Sequence, residues 1–104
     1  MQFCPWYPLG DAANRAPVGE GVLQVRLAGR LLDYPTGMSA MVHYEHAADV
    51  RASAMWLGQR FAGLGLLCRH LEVGEGEQVD FGAIHAKVLD EFVRRFGRPP
   101  AFPQ

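Results

Sequence analysis

The chain has 104 residues, 49% apolar and 20% charged, with two cysteines and a net charge of −1. That length suits one core and not two, the composition excludes a disordered chain, and two cysteines are too few for a disulfide framework. The charge balance also excludes a strongly basic nucleic-acid binder, though a local basic patch stays open.

Targeting signals are equally sparse. No apolar run approaches the roughly 20 residues that cross a bilayer, so no membrane association is expected. The opening Met1 to Arg15 lacks a basic stretch followed by an apolar one, so no secretory signal is read and the cytoplasm is the expected compartment. Nine of the ten basic residues are arginine, and Lys87 is the one lysine. A coding bias explains this more simply than selection for phosphate contacts.

Residues 1–20 read as irregular. Pro5, Pro8 and Pro17 remove backbone donors, and Gly10, Asp11, Asn14 and Gly19 favour turns. Phe3, Trp6, Tyr7 and Leu9 are too apolar for a free tail, so the segment is expected to lie across the domain and bury its aromatics. From Leu23 onward, Gly21 to Leu27 alternates apolar and polar residues and predicts a half-buried strand. Ala28-Gly29-Arg30 is a turn, and Leu31 to Tyr34 is a short extension stopped by Pro35-Thr36-Gly37. Ser39 to Tyr44 predicts a second strand, antiparallel to the first across an elaborated loop.

Ala47 to Phe61 carries Val50, Ala54, Leu57 and Phe61 at helical spacing and predicts a helix ended by Gly63 and Gly65. Leu64 to Val73 predicts a third strand, in which Cys68 sits in an apolar run as an inert core thiol. Asp80 is a predicted N-cap for a last helix with the stripe Phe81, Ile84, Val88 and Phe92. Arg94 and Arg95 suit its last turn, and Gly97, Pro99 and Pro100 stop it. The reading is one α+β domain over 1–104, with elements in the order strand, strand, helix, strand, helix.

This order, with certain short motifs, resembles the GIY-YIG nuclease fold, a small three-stranded antiparallel sheet flanked by helices. The resemblance covers 21–100. Gly21-Val22-Leu23 stands where the GIY motif belongs, with leucine in place of tyrosine. Val42-His43-Tyr44-Glu45 lies near the YIG position without the glycine, and Asp49-Val50-Arg51 resembles the opening of the family's helix. The closing stretch from Leu89 to Pro100 is similar to the family's last helix, with Leu89 where the metal-binding glutamate would stand.

What the resemblance implies is phosphodiester cleavage by an activated water, a metal held by the glutamate and an arginine that stabilises negative charge. The catalytic candidates are then Tyr44, Arg51 and His85, and the metal would be magnesium or manganese. With leucine at the glutamate position the metal lacks its anchor, so no cofactor is expected. His43, Glu45, His46 and His70 do not gather at one point on extended strands, and no metal site is read there.

Two functional readings result. The first is a non-catalytic binding or interaction module, its groove lined by Arg26, His43, Tyr44, Glu45 and Arg51. Nucleic acid or another protein would be its partner, and Trp6 and Tyr7 could serve contact with a second copy of the chain. The second is a divergent metal-dependent nuclease in which His85 or Glu45 replaces the missing ligand.

Overall fold

A computed structural model describes residues 1–103. It is an α+β domain with antiparallel sheets and three α-helices. The first strand of the core, β3 (Gly21–Leu27), has the bounds that its alternation predicts. It pairs antiparallel with β6 (Met41–Ala47) on one side and with β7 (Leu66–Glu72) on the other. The register with β6 slips between Val25 and Arg26, where Val42 forms a bulge.

The long β3–β6 connection folds into its own hairpin, β4 (Leu32–Tyr34) with β5 (Gly37–Ser39). Tyr34 carries this hairpin onto the domain. Its ring packs edge-on against Phe92, and its hydroxyl donates to the Met41 carbonyl.

The expected three-stranded sheet is a five-stranded one. The N-terminal segment supplies the extra strands, β1 (Gln2–Phe3) and β2 (Tyr7–Pro8), both paired with β7. A 3-10 turn at Leu9–Asp11 and the short helix α1 (Ala12–Arg15) follow. The prolines misled the irregular reading, because β1 and β2 are edge strands of two residues each and a proline there removes no central ladder bond. Proline 8 itself stands in β2, opposite Leu67.

Antiparallel pairing fixes which side chains share a face. Leu23, Val25 and Leu27 lie with His43, Glu45, Cys68 and His70 on one face. The helix α2 (Val50–Arg60) packs there, burying Val50, Ala54 and Leu57. The predicted helix is shortened at its start because Asp49 is the N-cap, its carboxylate accepting from the Ala52 amide. Gly21 permits the close approach: a Cβ on it would stand 2.8 Å from Val50 Cγ2.

The opposite face carries Val22, Gln24, Arg26, Tyr44, His46, Leu67 and Arg69. The helix α3 (Phe81–Phe96) lies on this side, capped by Asp80 as expected. Its Phe92 meets the Tyr44 ring, and its Gly82 lies beside the His46 ring. Thus α3 sits on the β6 side, and its axis leaves the β7 side to the N-terminal segment. No helix among the described residues is long and apolar enough to cross a membrane.

Candidate functional site

The residues singled out by sequence fall around β6, but on different sides of it. Glu45 faces α2, where both its oxygens are held. His43 Nε2–H donates to one at 2.7 Å, and the Ser53 hydroxyl donates to the other at 2.6 Å. Burial alone would raise the Glu45 carboxyl. These two hydrogen bonds and the nearby imidazoles of His43 and His85 outweigh it and hold the group below the usual carboxylate range. A cavity of about 390 Å³ opens beside it, with Trp56 on its wall.

This trio is not a nucleophilic triad. The serine donates to the carboxylate, so the imidazole cannot take its proton, and Ser53 gains no nucleophilicity.

Tyr44 alternates to the other face, under α3. Burial lifts its phenol above the ordinary range, and the Arg69 guanidinium pulls against that. His85 approaches β6 from its free edge, its Nε2 donating to the Tyr44 carbonyl at 3.4 Å. Arg51 and Ser53 are two positions apart on α2, about 200° around the axis, so they leave the helix on nearly opposite sides. Arg51 Nε donates to the Ala16 carbonyl at 2.7 Å and its amide to the Pro17 carbonyl, tying α2 to the segment before β3. His46 is held by Glu20 at 2.6 Å. The structure therefore brings His43, Glu45 and His85 near one another, and places Tyr44 and Arg51 elsewhere.

Among the described residues, no three His, Cys, Asp or Glu side chains gather where they could share a metal ion. Cys68 is fully buried, and burial pushes its thiol up to about 11. Cys4 lies in the same core cluster, its sulfur 3.5 Å from His70 Nδ1, which also meets the Tyr7 hydroxyl at 3.1 Å. Burial holds His70 below the ordinary imidazole range. Burial disfavours both the Cys68 thiolate and the charged His70 imidazole, and the contacts of this cluster pack β1 and β2 onto the core.

Tyr7 is buried, as the apolar character of its segment predicts, and so does not offer the contact with a second copy that its aromatic ring suggests. It is only 2% exposed, since its position in β2 turns it toward Cys68 and the core. Trp6 turns the other way and is half-buried.

One group escaped the sequence reading. On the α3-side face, beyond the helix, Arg69 lies over both Phe3 and Trp6, and Arg26 lies over Trp6 at 4.3 Å from the ring centroid. Arg26 alone was singled out, because Arg69 looked like one more polar residue of an alternating strand. Only the pairing of β7 with both β3 and the N-terminal segment gathers the four side chains.

No family model matches the chain, and no curated protein or solved structure matches it either.

Proposed function

We propose that this chain is a non-catalytic binding module on a degenerate GIY-YIG-like scaffold. The observation that carries the reading is the dispersal of the candidate catalytic groups. Arg51 is anchored through Nε to the Ala16 carbonyl on the side of α2 away from Ser53 and Glu45, Tyr44 lies across the sheet from Glu45, and Leu89 holds the position where the resemblance calls for a glutamate. Phosphoryl chemistry needs its charged groups converging on one phosphate, and misplacement by even an ångström or so costs about a hundredfold in rate. The order β3, β6, α2, β7, α3 over 21–96, with the β4–β5 hairpin inserted between the first two strands, supports the scaffold reading.

A plasmid-nicking assay with magnesium or manganese tests it. The wild-type protein is expected to leave supercoiled plasmid intact over hours. Nicking that disappears in Arg51→Ala or Glu45→Gln would overturn the reading in favour of a divergent nuclease.

A further inference from the structure

The open part of the α3-side face carries charge in an unusual state. Arg26 and Arg69 share the Trp6 indole, at 4.3 and 4.4 Å from the ring centroid. Phe3 covers Arg69 as well, at 4.7 Å. Arg69 donates through Nε to Gln24 Oε1 at 2.8 Å, which fixes its plane and leaves both Nη groups without a hydrogen-bond partner among the described residues. Arg26 makes no side-chain hydrogen bond among them, and neither arginine has a carboxylate within ion-pair distance. Burial and the neighbouring Arg26 both disfavour the charge on Arg69. Two half-desolvated cations that repel each other, with no counter-ion, are stabilised by any anion that reaches both.

A cavity of about 380 Å³ opens beside Arg26, its wall shared by Arg30, Leu67 and the apolar side chains of Leu27, Leu31 and Ala40. Arg30 adds a third guanidinium at its rim, exposed and again without a carboxylate partner among the described residues. Gly29, with φ of +77°, turns the chain so that Arg30 follows Arg26 around the end of β3.

From this we propose that the Phe3–Trp6–Arg26–Arg69 face, with Arg30, binds the phosphates of single-stranded nucleic acid. It names the partner of the binding module proposed above and rests on that reading. The planar guanidinium fork matches phosphate oxygens two at a time. Guanidinium planes and aromatic rings also stack with unpaired bases, and that combination suits a single strand. A duplex would hide the base faces that these planes would stack on. The overall charge of −1 gives little long-range steering, so the affinity comes from this patch and is salt-sensitive.

Fluorescence anisotropy with labelled 12-nucleotide oligo-dT and oligo-U, titrated with the full chain from low to physiological salt, tests this. The expected result is binding whose logarithm falls linearly with log salt. Removing two phosphate contacts in Arg26→Gln/Arg69→Gln should weaken binding at least tenfold and flatten the salt slope by roughly 0.7 per arginine. Arg30→Glu, an exposed loop change, keeps the test valid if the double variant misfolds, and it too should weaken binding. No binding by the folded wild-type protein overturns the proposal. Equal binding to a 12-base-pair duplex overturns the single-strand assignment. Binding that is unchanged in all these variants overturns the site while leaving the binding-module reading intact. Cleavage of the oligonucleotide would instead overturn that module reading.

Discussion

At the scale of single residues, Glu45 shows how a side chain that looks functional is explained by its partners. The alternation of β6 puts it on the α2 face, and Ser53, one turn past the Asp49 cap, meets it there. Because its folded carboxyl is held below its ordinary value, it contributes stability that is present above the unfolded value. That stability is lost as pH falls through the folded one. Glu45→Gln removes this dependence. The variant is expected to be less stable than wild type at pH 7, and the difference should shrink as pH drops below about 4. Urea unfolding at pH 7, 5 and 3 measures it, and a difference that stays constant across pH would show that the carboxylate's ionisation contributes nothing. Arg51 gives the contrasting case. The resemblance implied charge stabilisation for it, yet its Nε is anchored on the Ala16 carbonyl, away from Glu45, a contact that depends on where the preceding segment runs.

At the scale of elements, the parts legible in the sequence were those set by local chemistry. The alternation from Leu23 marked β3, although helices and the N-terminal segment bury it on both faces rather than one, and Asp80 and Gly97 marked both ends of α3. The β4–β5 hairpin was only half seen, because three-residue strands are too short to show a period. Gly97 illustrates how a stop signal becomes a tertiary contact. It caps α3 at φ of +91°, and a Cβ there would stand 2.8 Å from Pro35 Cβ in the turn of the hairpin. Thr36 binds the Arg95 and Phe96 carbonyls at the same junction, so hairpin and helix end are locked together. Gly97→Ala forces a left-handed alanine, costing about 1–2 kcal/mol before the clash with Pro35 is counted. Its melting temperature should fall by several degrees or more, and a melt within one degree of wild type would mean that the junction yields freely.

At the scale of the molecule, the N-terminal segment is the piece that sequence reading placed least well, and it organises both faces of the sheet. The break between β1 and β2 at Cys4 to Trp6 resets the alternation, so that Cys4 and Tyr7 both enter the core while Phe3 and Trp6 both lie over the arginines. None of this is visible locally, because each half of the segment has meaning only once β7 offers an edge to pair with. The same edge fixes the first residue, whose amino group meets Glu77 in the loop before α3. The segment should therefore behave as part of the fold and not as an appendage. Removing a buried aromatic costs about 3–5 kcal/mol, a large share of the roughly 5–15 kcal/mol that holds a domain together. Tyr7→Ala is expected to lower the unfolding free energy from urea titration by that amount, whereas Tyr7→Phe, which keeps the ring and loses the hydroxyl contact with His70, should cost only about 1 kcal/mol. Deleting residues 1–8 should abolish cooperative unfolding altogether, because Cys68 and Leu23 would lose their cover and β7 would become an open edge. A deletion variant that unfolds cooperatively at the wild-type midpoint would separate the segment from the core. Oligonucleotide binding would then have to be sought on the remaining sheet, where Arg26 and Arg69 would no longer be held by an indole.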